Sequence, residues 1–291
     1  MYDFFLIYAK KVVSLQRIMD LKTLIYRAKS WLKHQLTARN TGGHGIHSPY
    51  LFEWVRMVLH DENAYYAWDK IEEVRTKMLG DEREVEFVDY GSGRENGDNG
   101  QVKMRRVCDI ARVSLAKRKY AQMLARLVNW LGESDLNIVE LGTSLGVTTA
   151  YLAAMNSRNK VVTCEGCPAV AEIAKANWKE LGISNIDCVV GEITAANLRL
   201  AIARLRGGVD VAFIDANHTY AGARTYFNVL LENVHEKSVI VVDDIHYNQD
   251  MEKAWEEICA DERVTSTMDL YQMGLVFFDK HYWKRNYKIR L

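Results

Sequence analysis

Proline is scarce, with two in 291 residues. That leaves little room for a long extended linker between folded parts. Long apolar runs are missing as well. None approaches the roughly 20 consecutive apolar residues that cross a bilayer as a helix. The apolar stretch at 4–9 is followed, not preceded, by its lysines, Lys10 and Lys11. A secretory leader has the opposite order. The five cysteines are therefore expected as reduced thiols, and the cytoplasm is the expected compartment. Excess charge of either sign is absent, with 38 basic and 38 acidic residues. The balance is uneven, however. Residues 1–40 carry eight Lys/Arg against two acids, and residues 280–291 carry five Lys/Arg and no acid, leaving 25 basic and 36 acidic residues between. An acidic body with basic ends argues against nucleic-acid binding through the core. No internal repeat or low-complexity tract is present.

What remains is ordinary globular composition, 48% hydrophobic and 26% charged, enough for one large domain or two small ones. Residues 12–37 read as an amphipathic helix. Ile18, Leu21, Ile25, Ala28, Leu32 and Leu36 recur at helical spacing, and Lys22, Lys29 and Lys33 share another face. The expectation is a stripe packed on the body with a solvated basic face. Peripheral contact with an anionic membrane is the alternative use of such a helix. Residues 41–50, rich in glycine, read as a loop. Helical patterns follow at 51–60 and 66–79, then an extended segment at 85–90 and a polar glycine-rich loop at 91–100. The pattern over 102–131 is helical, with Gly132 as its C-cap.

From residue 137 the rhythm changes to alternating strands and helices. Strands are expected at 137–141, 160–164, 186–190, 209–214 and 238–242. Helices are expected at 148–156, 168–181, 194–206, 219–233 and 249–260. Such alternation implies an α/β fold with a mostly parallel sheet. Two further strands at 264–271 and 274–279 close the chain as an antiparallel hairpin.

The segment Glu140-Leu-Gly-Thr-Ser-Leu-Gly146 stands at the first strand end. Gly142 and Gly146 let the backbone turn tightly and approach a ligand. The spacing is not that of the dinucleotide fingerprint. In an open α/β sheet, ligands bind at the carboxyl ends of the strands. Each of those ends carries an acid or a glycine: Glu140 with Gly142, Thr143, Ser144 and Gly146; Glu165; Gly191 with Glu192; Asp215; and Asp243 with Asp244. Glu165 lies 25 residues beyond Glu140, near the spacing at which an acid accepts from a ribose diol.

These motifs resemble those of class I S-adenosylmethionine (SAM) dependent methyltransferases, and the chain looks like bacterial O-methyltransferase-like proteins of unassigned substrate. The resemblance runs from Thr41 onward, through Gly45-Ile-His-Ser-Pro49, the 140–146 motif and Val242-Asp-Asp-Ile-His246. It implies a Rossmann-like sheet of seven strands ending in the antiparallel hairpin, preceded by a helical region. It divides the chain into a cap, 1–101, that helps to build the acceptor pocket, and a SAM-binding core, 102–291. It implies SAM as cofactor, held by Glu140, Gly142, Thr143, Ser144, Gly146, Glu165, Gly191, Glu192 and Asp215.

By position, Asp215, Asp243 and Asp244 match the ligands of metal-dependent O-methyltransferases, which suits Mg²⁺. The catechol-type members carry Asp-Asn where this chain has Asp-Asp. His218, three residues past Asp215, is the candidate general base, with Asp215 beside it as a catalytic candidate. His44, His47, Tyr50, Arg94 and His246 are candidate contacts for a small-molecule methyl acceptor. O-methylation is the expected reaction. N-methylation without a metal, and a non-catalytic SAM sensor, are the alternatives. A homodimer is a further expectation.

Three other signals carry less. The Asp89-Tyr-Gly-Ser-Gly93 loop has no βαβ unit behind it. Cys164 and Cys167 form a lone C-x-x-C and are expected to pack at a strand end. The aromatic, basic tail at 282–290 is expected to strap over the sheet edge or to meet a second copy.

Overall fold

The structure is a computed structural model. It describes residues 21–61, 63, 65–88, 90, 102–132, 135–281 and 283–291. The first nine residues of the expected N-terminal helix, and Arg94, lie outside them.

Helix α1 spans Leu21–Thr37. After a short helical turn, Thr41–Gly43, come α2 (Pro49–Trp54), which runs into a π-helical turn at Val55–Leu59, and α3 (Tyr66–Gly80). The hairpin β1 (Glu84–Val88) and β2 (Val102–Arg106) leads into α4 (Val107–Ser114) and α5 (Arg118–Leu131). The alternating part follows: β3 (Asn137–Leu141), α6 (Val147–Ala153), β4 (Lys160–Glu165), α7 (Pro168–Leu181), β5 (Ile186–Val190), α8 (Ala195–Ile202), β6 (Val209–Ile214), α9 (Tyr220–Leu231), β7 (Val234–Asp243) and α10 (Gln249–Ala260). The chain ends in β8 (Ser266–Asp269), β9 (Met273–Phe277) and β10 (Arg285–Lys288).

The large sheet has the order β10-β8-β9-β7-β6-β3-β4-β5. Only β9 runs against the other strands of this sheet. The strand order reverses between β3 and β6, the crevice where open α/β sheets bind ligands. Two antiparallel steps separate β7 from β8, so these two strands end on the same edge. Alternate residues build the two core layers. Ile138, Val161, Val211, Phe213, Val239 and Val241 face one way, and Val139, Leu141, Val162, Ala212, Ile214, Ile240 and Val242 the other. Strands buried on both faces read as continuous apolar runs, which is why they were conspicuous in the sequence.

Four expectations change. The sheet has eight strands instead of seven, because the tail adds β10 beside β8. Residues 102–106 form a strand paired to β1, with Glu84 opposite Arg106, so the 102–131 segment is not one helix. The expected domain boundary at 101/102 falls between these two strands. Helix α2 starts inside the expected 41–50 loop, with Pro49 in its first turn and the Ser48 hydroxyl accepting from Leu51 N–H at 3.3 Å.

The largest change is the face on which α1 docks. Ser30 and His34 are buried, while Ile25, Leu32 and Leu36 on the opposite face are exposed, Leu36 at 77%. The polar face wins because it meets polar partners. His34 Nε2 lies 3.2 Å from Asp269 Oδ1, the Tyr26 hydroxyl donates to Glu252, and the Tyr271 hydroxyl donates to Arg27 C=O at 2.8 Å. Undocking it would take His34 from the Asp269 carboxyl, which costs more than exposing three aliphatic side chains.

Candidate active site

The glycine loop after β3 is fixed by its neighbours. A Cβ on Gly142 would lie 2.0 Å from the Asp215 carbonyl oxygen, and its φ is +95°, so no other residue fits without displacing that strand end. Trp178 Nε1–H donates to Gly146 C=O at 2.8 Å, and Asn177 donates to Leu145 C=O at 2.9 Å. Helix α7 thus holds the loop from below.

Glu140 is fully buried. Its Oε2 accepts from Thr149 at 2.5 Å and from Thr163 at 2.7 Å, and Oε1 has no partner among the described residues. Burial lifts its carboxyl to about 7 against the pull of the two hydroxyls. Thr143 turns inward, with its hydroxyl 2.6 Å from that of Thr163. Ser144, at φ 49°, contacts the Ser114 hydroxyl at 2.6 Å and gives its N–H to Glu165 Oε2 at 2.7 Å. Glu165 Oε1 accepts from Cys167 N–H at 2.9 Å. Burial raises the Glu165 carboxyl, and the backbone N–H bonds from Cys167, Ser144 and Gly166 oppose the rise. Gly191 faces open space at φ +130°, and Glu192 beside it is exposed. A cavity of about 150 Å³ opens there, bordered by Cys164, Val189 and Leu198.

Beyond this cradle, the ends of β6 and β7 bring three acids together. Burial raises the Asp215 and Asp243 carboxyls well above the usual range, the neighbouring acids raise Asp215 further, and the two carboxyls hydrogen-bond each other. Such a pair shares a proton. His218 Nε2 lies 3.6 Å from Asp215 Oδ1 and 3.9 Å from Asp244 Oδ2. Burial lowers its basicity, partly offset by Asp244. Four residues not singled out as site candidates from the sequence belong here. Gln272, in the β8–β9 turn, donates to both Asp243 (3.5 Å) and Asp244. Burial, then Asp243 and Asp244, push the Tyr120 hydroxyl up to about 12. The Tyr247 ring packs 5.7 Å from His218, and Arg27 lies over that ring at 5.1 Å. Gln272 was findable by noting that β8 must end on the same edge as β7.

Other expectations separate from this cluster. His246 is buried, hydrogen-bonded to Asp269 Oδ2 at 3.0 Å and stacked on Tyr271. His44 and His47 are exposed, in a loop whose Asn40 and Thr41 pair with Lys288 and Arg290 beyond β10 at the sheet edge. Tyr50 packs against Trp130. Among the described residues, no set of three His, Cys, Asp or Glu side chains is grouped to hold a metal ion. The Gln272 amide hydrogen-bonds both Asp243 and Asp244. This donor set does not fit the three-ligand Mg²⁺ site expected from the sequence. The cysteines are all free, and Cys164 and Cys167 are buried at the strand end, as expected.

A Rossmann-like sheet with a glycine cradle and an acid cluster along one edge defines the class I methyltransferase fold. Residues 139–245 match the family model of a methyltransferase domain. No curated protein matches the chain. Similar solved structures include the cofactor-bound Rv0187 protein from MTB, at 17% identity over 79% of this chain and 97% of that one, with a TM-score of 0.52. An O-methyltransferase from Bacillus cereus in complex with SAH (S-adenosylhomocysteine) is similar at 19% identity over 78% and 97%, with a TM-score of 0.51. These likenesses support the fold. No helix among the described residues is long and apolar enough to cross a membrane.

Proposed function

We propose that this protein transfers a methyl group from SAM to an oxygen of a small-molecule acceptor, with His218 as general base. One observation carries the reading. The same sheet edge holds a cradle suited to a nucleoside and, beside it, a histidine whose basicity burial lowers, 3.6 Å from Asp215. SAM, when bound, supplies an electrophilic methyl carbon on a sulfonium.

In this reading Glu165 accepts from the ribose diol with the lone pairs left after its backbone bonds. Gly191 and Glu192 border the base. Gly142, Thr143, Ser144 and Gly146 offer backbone to the amino-acid part, and Asp215 closes the cradle. Glu140 acts from beneath, holding α6 and β4 to the loop through Thr149 and Thr163. The acceptor oxygen bonds the methyl carbon as the carbon–sulfur bond breaks, and its proton passes to His218. Asp215 and Asp244 then stabilise the imidazolium. No step is assigned to a metal. The chain up to residue 101 supplies acceptor-side walls and 102–291 the cofactor side, with the β1–β2 hairpin shared between them.

N-methylation is the second reading, because an acid-rich acceptor end also suits an amine. The test is SAH release from SAM across a panel of hydroxyl and amine acceptors, with Mg²⁺ and with a chelator. Turnover on a hydroxyl that survives chelation is expected. Turnover on amines alone selects the second reading. A strict Mg²⁺ requirement would overturn the metal-free mechanism, and SAH binding without turnover would leave a sensor.

The outward stripe of Ile25, Leu32 and Leu36, with Lys29 and Lys33 beside it, supports peripheral contact with an anionic membrane. Co-sedimentation with phosphatidylglycerol vesicles, absent with phosphatidylcholine, is the corresponding check.

A further inference from the structure

Three contacts tie the β1–β2 hairpin and the helix after it to the loops that cradle the cofactor in the proposed function. The Cys167 thiol lies 3.4 Å from Glu86 C=O and 3.5 Å from Val88 N–H, so β1 is fastened to the loop that follows Glu165. Ser114, at the end of α4, touches Ser144 in the glycine loop at 2.6 Å. Val107, Ile110 and Ala111 of α4 share a core cluster with Leu145, Cys167 and Val170. None of these hairpin or α4 residues lies in the matched segment, 139–245.

A fourth contact has a direct chemical use. Gly166 follows Glu165. A Cβ built on Gly166 would meet the Tyr90 ring at 2.6 Å from Cδ2 and 3.4 Å from Cγ and Cε2. The aromatic ring of Tyr90 therefore fills the space that a side chain at position 166 would take. Tyr90 is half-buried, so part of the ring remains accessible. A ribose held by Glu165 has its base attached one carbon away. That base must run along the strand ends past Gly166 toward Gly191, where the backbone faces open space. The aromatic surface that meets Gly166 on that path is the ring of Tyr90, reaching in from outside the alternating core.

We infer that Tyr90 is the platform on which the nucleobase of the cofactor stacks, supplied by the β1–β2 hairpin in place of a side chain at Gly166. The inference rests on the SAM reading above. It assigns the hairpin a binding role. Base–aromatic stacking needs a π-face and tolerates loss of the hydroxyl. Apolar bulk alone does not replace it.

The experiment is calorimetric titration of SAH into the full chain and into Tyr90→Ala, Tyr90→Leu and Tyr90→Phe, with a thermal melt of each free variant. The expected result is a Kd raised tenfold or more by Tyr90→Ala, a value within about threefold of the parent for Tyr90→Phe, and a clear loss for Tyr90→Leu, with cooperative melting throughout. Tyr90→Leu binding as well as Tyr90→Phe would show mere packing on Gly166 and overturn the platform. So would Tyr90→Ala binding within twofold of the parent, or Tyr90→Phe losing as much as Tyr90→Ala. A parent that melts cooperatively yet binds no SAH would instead refute the SAM reading itself, a different outcome from a parent that binds while the variants do not differ.

Discussion

Asp269 and the Asp215–Asp243 pair are buried carboxyls on the same sheet edge, two strands apart, yet their environments act in opposite directions. Burial alone would raise Asp269, but hydrogen bonds from His246 and His34 outweigh it and hold the carboxyl well below its usual range. Asp215 and Asp243 have weaker help, with Gln272 donating to Asp243 at 3.5 Å and His218 Nε2 3.6 Å from Asp215. Burial and mutual repulsion raise both, and the proton they share is the compromise. In the first cluster two histidines satisfy the carboxyl, and the cluster joins α1 to the hairpin. The second stores unfavourable interaction beside a neutral histidine, which a purely structural contact has no reason to retain. The difference teaches that counting acids does not locate a site. What matters is whether partners have neutralised them.

The comparison breaks most visibly at His218. Replacing it by alanine removes the base, and kcat should fall by roughly 10²–10⁴ with SAH affinity within about threefold of the parent. An unchanged kcat on a hydroxyl acceptor would remove His218 from the chemistry.

Asp269→Asn attacks the satisfied cluster instead. Its folded pKa is depressed, so its contribution is present above the unfolded value of about 3.9 and lost only as pH falls through the folded one. At pH 7 the variant should lose about 3–5 kcal/mol in urea unfolding, because two buried histidines lose their anion. A loss below about 1 kcal/mol would mean that the cluster does not pin α1.

Glu140 sharpens the contrast, being buried with a raised pKa and no base nearby. Its folded value of about 7 stands above the ordinary 4.5. Its stabilisation is therefore complete below pH 4.5 and lost as pH rises to 7, a change of about 3 kcal/mol. Glu140→Gln should flatten that part of the stability profile and match the parent near pH 4.5. An unchanged slope would mean that the carboxyl ionises freely.

The smallest effect should come from Leu32→Ser. Leu32 is exposed on the outward stripe of α1, so stability should move by less than about 0.5 kcal/mol. A loss of about 2 kcal/mol or more would show that the stripe packs on the body, as its periodicity suggested.

Legibility followed the physics of each region. Strands β3, β5 and β6 and helices α7 and α10 were expected with the bounds observed, because short, mostly apolar strands alternate with helices that keep a strong period. Helix α1 was legible as a helix but not in its orientation. Its docking depends on Asp269 and Glu252, more than 200 residues away, and periodicity carries no information about what lies opposite. Strand β2, with alternating Lys103 and Arg105, looked helical because its pairing with Glu84–Val88 is a tertiary fact. The acids at strand ends were visible because topology alone sends them to one edge. Tyr120 and Tyr90 were not, since their neighbours come from distant turns and helices and no spacing rule links them.

The most direct measurement of the central claim is calorimetric titration of the purified full chain with SAH at pH 7. One site per chain with micromolar affinity is the predicted result. A cooperatively folded sample that takes up no SAH would contradict the cradle at Glu165 and Ser144, and the methyltransferase reading would be confined to the fold.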